Sequence, residues 1–194
     1  LGDVYKRQED ILHAAEQVPA MDVYVLPNNK NIVMAAEQAA RLARTSGVRR
    51  IHVVPTTTIP QGISAMMAYD ESAEIKDNVE AMQEAASRVQ SGSVTFAARD
   101  SDYDGHQIKE GELLALENGK VAFTGTDLGS VTAKVAKDLM REDSQFITLL
   151  YGADVSEEQA ADVEEAVRSL LPEEVELTVA YGGQPVYYFL ISVE

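Results

Sequence analysis

Four polar residues follow a short apolar run near the start of the chain. They are Asn28, Asn29, Lys30 and Asn31, and an alanine-rich helical pattern begins directly after them. Ligands of open parallel sheets gather at the carboxyl ends of strands, and free N–H groups at a helix start favour an anion. We therefore expect a phosphate, a carboxylate or the backbone of a partner to bind here. The alternative is a capped turn, because asparagine is favoured at N-caps and in turns.

A second polar loop follows the next apolar run, Ile51–Val54. Its candidate binding residues are Thr56, Thr57, Gln61 and Gly62. Loops that leave adjacent parallel strands meet at one edge of the sheet, so the two loops predict a shared site. Neither loop has the glycine-rich Walker pattern or a dinucleotide fingerprint, and we predict no nucleotide site in this chain.

The third candidate is the acidic loop from Arg99 to Gly111. Its candidate binding residues are Asp100, Asp104, Gly105 and His106. Together with Asp102, the spacing superficially follows the Asp-x-Asp-x-Asp-Gly start of a calcium-binding EF-hand loop. The twelfth position is Gly111, where an EF-hand has glutamate, and the flanks are typical of strands. A calcium site and a solvated, turn-rich loop both stay open, and we assign no metal ligand.

The fourth candidate lies near the end of the chain, at Gly182, Gly183, Gln184 and Pro185, with tyrosines on both sides. Consecutive glycines allow another backbone to approach closely, and tyrosines provide an amphipathic contact surface. The alternative is a hairpin turn with the tyrosines lying on the sheet.

No nucleophile and base form a convincing pair in this sequence. Its three histidines are His13, His52 and His106; there is no Gly-x-Ser-x-Gly elbow, no pair of metal-binding histidines and no cysteine. We therefore predict no catalytic residue, and we expect the chain itself to be non-catalytic.

Composition limits the partners. The 32 acidic residues outnumber the 16 basic ones, for a net charge of −16, which repels nucleic acid and anionic lipid. No apolar run approaches the roughly 20 residues that cross a bilayer, so we expect no membrane insertion. The absence of cysteine and of a signal peptide fits a cytoplasmic protein. Because the chain starts at Leu1 and not at methionine, we expect a fragment of a longer protein.

The elements predicted around these candidates give an α/β fold with two lobes, built from mainly parallel or mixed sheets flanked by helices. Residues 1–20 form an N-terminal linker and helix, residues 21–110 the first lobe, and residues 111–194 the second lobe with a hairpin at Asn118-Gly119. The first lobe contains three parallel strands, of which the third is Ser93–Ala97. Ser72 is expected to cap a long helix, and Asp127 and Ser156 to cap two more.

Five segments of the chain resemble a known family: LPNNKNIVMAAEQAA, VVPTTTIPQGISAM, VTFAARDSDYDG, EGELLALENGK and YGGQPVYYFLISVE. They are similar to the C-terminal region of the ATP-binding subunit of bacterial fatty acid kinase, a protein related to dihydroxyacetone kinase. The resemblance runs from about Glu9 to Glu194, and the first eight residues lie outside it.

The resemblance implies that ATP and magnesium are bound by an N-terminal domain absent from this chain, which itself needs no cofactor. It also implies that this region docks a separate fatty-acid-binding subunit of the DegV type, so that the lipid's carboxylate is converted to an acyl phosphate for phospholipid synthesis. A homodimer stays open.

Two alternatives remain beside the docking module. The first is a stand-alone domain that binds a small molecule, either a fatty acid or an anionic metabolite. The second is a phosphotransfer enzyme that uses His106 or the Asp100–Asp104 cluster as phosphate acceptor or metal ligand.

Overall fold

The chain has an α/β fold with a mixed sheet, as predicted. A computed structural model describes residues 2–103 and 106–194. They form two compact units, Leu1–Arg88 and Val89–Glu194. No described helix is long and apolar enough to cross a membrane.

Two parallel strands and four helices make up the first unit, as far as the structure describes it. In chain order the elements are α1 (Gly2–Gln17), β1 (Asp22–Val25), α2 (Lys30–Ser46), β2 (Arg50–Val53), α3 (Ile59–Met67) and α4 (Ile75–Arg88). β1 pairs with β2 in parallel, with Tyr24 opposite His52. The polar loops after the two strands therefore leave the same edge of the sheet, as the sequence predicts.

Capping residues fix where the helices of the first unit begin and end. Asn29 caps α2 by accepting a hydrogen bond from the Asn31 N–H at 2.8 Å, and Gly47 ends the helix in the left-handed region at φ 69°. Thr58 caps α3, which has Pro60 in its first turn. The helices bury small side chains, so Ala35, Ala36 and Ala39 of α2 are fully covered.

The second unit contains eight strands and two helices among its described residues. They are β3 (Gln90–Phe96), β4 (Ser101–Tyr103), β5 (His106–Ile108), β6 (Leu113–Glu117), β7 (Lys120–Gly125), α5 (Leu128–Leu139), β8 (Phe146–Tyr151), α6 (Glu157–Arg168), β9 (Glu176–Tyr181) and β10 (Phe189–Val193). Six strands form one sheet in the order β7-β6-β3-β10-β8-β9, and β4 pairs with β5. Of the described strands in the larger sheet, only β8 and β9 are parallel neighbours.

Helix α5 packs against α6 and against β3 of the larger sheet. Gly92 of β3 permits this close approach, because a Cβ atom there would lie 2.5 Å from a methyl group of Val135. The apolar core of this unit includes Phe189, Leu149 and Val135, which are fully buried. Strand β10 is buried at every position because it lies in the middle of the sheet.

The third strand expected in the first lobe belongs instead to the second unit. β3 pairs antiparallel with β6 and β10, and it has no partner among the described strands of the first unit. The division between the units therefore falls between Arg88 and Val89, N-terminal to the predicted boundary at residue 110. Alternation of strand and helix predicted a parallel crossover here, but pairing with two later strands determines where β3 lies.

Three further local predictions were wrong. Ser72 does not cap α4, which starts at Ile75; its N–H and hydroxyl both donate to Asp70 in a turn before the helix. The loop after Arg99 contains β4 and β5. The alternative of a hairpin turn at Gly182–Pro185 fails because β9 and β10 do not pair, and β8 lies between them.

Local turn and cap chemistry was predicted correctly. Asn118 and Gly119 have φ values of 48° and 81°, as a type I′ turn requires, and they join β6 to β7. Asp127 caps α5 and Ser156 forms a capping box with Gln159 at the start of α6.

Candidate functional site

The two polar loops of the first unit are joined by a pair of hydrogen bonds. The Thr56 hydroxyl donates to the Asn28 Oδ1 atom at 2.8 Å and accepts from the Asn28 N–H at 3.2 Å. Thr56 is only 1% exposed, so the pair is shielded from water on the threonine side. Asn28 adopts φ 54°, a left-handed conformation that asparagine tolerates better than most residues. The structure thus brings these two predicted residues together, but as partners of each other.

Gly62 lies against the same asparagine. A Cβ atom at Gly62 would be 2.1 Å from Asn28 Oδ1, so only glycine leaves room for this amide at the start of α3. Gly62 is therefore required by the contact between the loops, a role that the binding-site interpretation did not include.

Other predicted residues of the two loops form local contacts or are exposed. The Gln61 Oε1 atom accepts from the Thr57 N–H at 2.8 Å and from the Thr57 hydroxyl at 3.0 Å. Asn29 caps α2, whereas Lys30 and Asn31 are exposed on its first turn. Lys30 and Asn31 are consequently the members of this set whose side chains are accessible to a partner.

A groove of 330 Å³ lies beside the second loop. Its lining consists of Val54, Pro55, Thr56, Gln61, Gln83, Ala86 and Ser87. The floor is apolar and the polar groups are neutral amides and hydroxyls. This chemistry suits an uncharged polar group better than an anion, because these described lining residues include no cation.

An ionic cluster connects β1 to β2 near this edge. Arg50 binds Asp22 through two hydrogen bonds of 2.7 and 2.6 Å, and the His52 ring nitrogen Nε2 lies 2.8 Å from the same carboxylate. Hydrogen bonds from Arg50 and then His52 hold the pKa of Asp22 well below its usual range. Tyr24 packs against the His52 ring, and burial raises the pKa of its hydroxyl.

The acidic loop does not assemble a cation site in the part of the chain that the structure describes. The Asp100 carboxylate accepts a hydrogen bond from the Glu110 N–H at 2.7 Å. Asp104 and Gly105 lie outside the described residues, and of His106 only the backbone, in β5, is described. Among the described residues, no three histidine, aspartate or glutamate side chains come together in a way that could hold a metal ion.

The Gly182–Tyr188 segment crosses from β9 to β10 and is tied down along its backbone. The Gln184 side chain donates to the Leu150 carbonyl at 2.8 Å, and the Gly182 N–H donates to the Tyr151 carbonyl at 2.9 Å. Gly152 permits close approach, because a Cβ atom there would lie 2.2 Å from the Tyr187 carbonyl oxygen. We call residues 181–188 the tyrosine segment.

Val186 holds an unfavourable backbone conformation in the tyrosine segment. Its φ is 72°, and the Tyr187 N–H donates to the Pro185 carbonyl at 2.8 Å, so the three residues form a γ-turn with valine at its centre. The Thr95 hydroxyl fixes the turn by donating to the Val186 carbonyl at 2.7 Å. The side chain is nevertheless 55% exposed, beside the exposed Tyr181 and Tyr187. A β-branched residue in this region costs about 1–3 kcal/mol, which points to a role outside folding.

The sequence of the chain matches the FakA-like C-terminal domain family of fatty acid kinases over residues 6–194. The chain belongs to this family. An uncharacterised protein of Staphylococcus haemolyticus is 40% identical over 186 residues, which cover 96% of this chain and 33% of that protein. The chain spans about a third of the length of the curated relatives it matches. Family membership supports a role in the fatty acid kinase system.

Solved structures extend the likeness of this FakA-like domain at the level of fold. Dihydroxyacetone kinase of C. freundii, in complex with AMP-PNP and Mg²⁺, has a TM-score of 0.70 at 14% identity, with 96% of this chain and 41% of that chain covered. The fatty acid kinase B3 protein of Streptococcus pneumoniae, loaded with linoleic acid, has a TM-score of 0.63 at 13% identity over 96% and 75%. At these identities the two likenesses establish a shared fold alone.

Sequence reasoning missed two surfaces of this FakA-like domain. One is the exposed side of Val186, for which no sequence pattern exists, because valine rarely adopts positive φ. The other is the outer face of α3, where Ile59, Ile63, Met66 and Met67 are all exposed. Their spacing marks one face of a helix and was available from the sequence, but an apolar helical face is normally assigned to the core.

Proposed function

We propose that this domain docks a fatty-acid-binding protein of the DegV type and so presents the bound lipid to a kinase domain elsewhere in the parent protein. The observation that carries the proposal is the family match over residues 6–194. In this proposal the parent protein binds ATP and magnesium outside this chain and converts the lipid carboxylate to an acyl phosphate for phospholipid synthesis in the cytoplasm.

The surfaces of the domain support docking over catalysis. Asn28, Thr56 and Gly62 are occupied with one another, which leaves no open polar centre formed by these three residues at the described strand ends. In contrast, the tyrosine segment is rigidly held and exposes Tyr181, Val186 and Tyr187. Aromatic side chains held in place by their backbone are typical of binding hot spots, because little entropy is lost when they are covered.

Calorimetric titration of this domain with a fatty-acid-loaded DegV-type protein from the same genome tests the proposal. We expect saturable binding, weakened about tenfold or more by Tyr187→Ala, since buried tyrosines are frequent hot spots. The double variant Lys30→Ala/Asn31→Ala tests the exposed start of α2 in the same way. Val48→Ala is the matched control, because Val48 is similarly exposed (49%) but lies before β2.

A folded domain that binds no lipid-loaded partner would overturn the docking proposal. Titration at low and high salt reports in addition whether the acidic surface contributes, because salt screens charges across an interface.

The 330 Å³ groove favours a second candidate function, binding of a small molecule. Its size is at the lower end of the range for ligand pockets, and its neutral lining favours an uncharged polar ligand over a fatty acid carboxylate. Native mass spectrometry of the gently purified protein tests it. A mass of the bare chain alone would count against this function, and a retained adduct lost on Gln61→Ala substitution would support it.

A further inference from the structure

The strand β2 has one edge without a partner strand. Its sheet contains only β1 and β2 among the described residues. The N–H groups of Arg50 and Val54 donate to carbonyls on the β1 side, at 2.8 and 3.0 Å. Peptide groups of a strand alternate in direction, so those of Ile51 and Val53 point away from β1. Within the described part of the chain, no hydrogen bond reaches the backbone groups of these two residues.

This free edge opens into a groove of 510 Å³. The groove is lined by Glu37, Ala40, Arg41 and Arg44 of α2, by Ile51, His52 and Val53 of β2, and by Val79 of α4. The unpaired backbone groups thus lie between two helices, with apolar side chains around them. An exposed edge of this kind is a template for pairing with another extended chain.

The charges on the rim of the groove indicate what kind of chain would pair there. Arg41 and Arg44 are exposed, and neither lies within 4.0 Å of a carboxylate of the described residues. Glu37 also lines the groove, and His52 contacts Asp22, so the rim has a modest positive excess. Residues three apart on a helix are about 5–6 Å apart at Cβ, close to the ~7 Å between alternate side chains of a strand. Two acidic side chains at alternate positions would therefore meet the two arginines.

We propose that the free edge of β2 accepts an extended segment of another protein as a third strand, with acidic side chains at alternate positions facing α2. The backbone of the segment pairs with the N–H and C=O groups of Ile51 and Val53. Its acidic side chains bind Arg41 and Arg44. The proposal is independent of the docking function above, which concerns a lipid-loaded partner and a different set of residues.

NMR of the ¹⁵N-labelled chain with a synthetic heptapeptide of alternating glutamate and valine tests this inference. We expect the Ile51 and Val53 amide resonances to shift and their hydrogen exchange to slow by about tenfold or more, because both N–H groups become bonded. The His52 amide is the internal control, since it already faces β1. Arg41→Ala/Arg44→Ala should weaken binding by about tenfold, a typical effect of losing two charged contacts.

Two controls separate backbone pairing from simple charge attraction. The same peptide with alternate residues N-methylated keeps its charges but cannot form a ladder, and it should not bind. Val53→Pro removes an outward N–H and leaves the bonds to β1, so it should abolish binding while the circular dichroism spectrum stays unchanged. If that variant does not fold, the exchange of the wild-type Ile51 and Val53 amides still decides.

Three results would overturn the proposal: equal binding of the N-methylated peptide, resonance shifts confined to residues away from β2, or protection of Ile51 and Val53 by self-association without peptide. The last result would make a second copy of the chain the occupant. Each result leaves titration with the lipid-loaded partner unaffected, so failure of one proposal is distinguishable from failure of the other.

Discussion

Val186 shows at the scale of one residue how stability and binding can be separated. The γ-turn is fixed from outside by Thr95, and the valine side chain points largely into solvent. Glycine adopts φ 72° without strain, so it is the substitution that removes the side chain and relieves the backbone together.

Val186→Gly is expected to raise the free energy of unfolding by up to about 1 kcal/mol, because relief of strain exceeds the added flexibility of the unfolded chain. Affinity for the lipid-loaded partner should fall in the same variant. Urea unfolding and calorimetry measure the two quantities. A clear loss of stability would show that the valine side chain serves packing and not binding.

Thr132 of α5 offers a second test at this scale. It is fully buried, and its hydroxyl has no hydrogen-bond partner among the described residues. Thr132→Val replaces the hydroxyl by a methyl group and should increase stability by about 1 kcal/mol, since an unsatisfied buried polar group costs about 1–3 kcal/mol. Thr132→Ser keeps the hydroxyl and loses a methyl group, so it should be destabilising. Lower stability of the valine variant would mean that the hydroxyl is satisfied in solution.

At the scale of elements, the chain reveals what its sequence can and cannot predict. Asp127, Ser156 and the Asn118-Gly119 turn were predictable because caps and tight turns depend on residues a few positions apart. The place of β3 was not, because its partners β6 and β10 lie far along the chain. The two loops of the first unit were expected to meet, but nothing in the sequence indicates that Asn28 and Thr56 bind each other or that Gly62 makes room for them.

Substitution of Gly62 tests this contact between the loops. Gly62→Ala places a methyl group 2.1 Å from Asn28 Oδ1 and should destabilise the first unit by about 1–3 kcal/mol. Asn28→Gly keeps the positive φ and removes the amide that the methyl group would strike. The double variant should therefore be more stable than the sum of the two single effects, which urea unfolding measures. Strict additivity would show that the alanine is accommodated elsewhere.

The contacts between β1 and β2 make the first unit sensitive to acid. Because hydrogen bonds lower the pKa of Asp22 in the folded state, its stabilising contribution is complete above the ordinary pKa of about 3.9 and is lost as the pH falls further. Asp22→Asn should lower stability at pH 7, and its difference from wild type should shrink below pH 4. Thermal unfolding across this range measures it, and a pH-independent difference would exclude the carboxylate as the cause.

At the scale of the whole molecule, the two units differ in charge. Residues 89–194 contain 20 acidic and 7 basic residues, a net charge of −13, whereas residues 1–88 contain 12 and 9, a net charge of −3. The acidic field that excludes nucleic acid thus belongs mainly to the second unit. Any attraction between this field and a basic partner would act through the unit that contains the tyrosine segment.

The second unit should fold by itself. Its six-stranded sheet and its apolar core are formed entirely by residues 90–193. A chain of residues 89–194 is expected to unfold cooperatively in urea, and moderate salt should stabilise it by screening its repelling carboxylates. Gradual unfolding without a sharp transition would show that the sheet needs the first unit.

The place of β10 in the middle of the sheet has a consequence for synthesis of the protein. On the ribosome, β3 and β8 are complete while the strand that joins them is still untranslated. At ~5–20 residues per second, both edges wait for a time on the order of seconds. Nascent chains halted just before Phe189 should therefore hold two unjoined half-sheets with open edges, which makes this interval the one in which chaperones matter most.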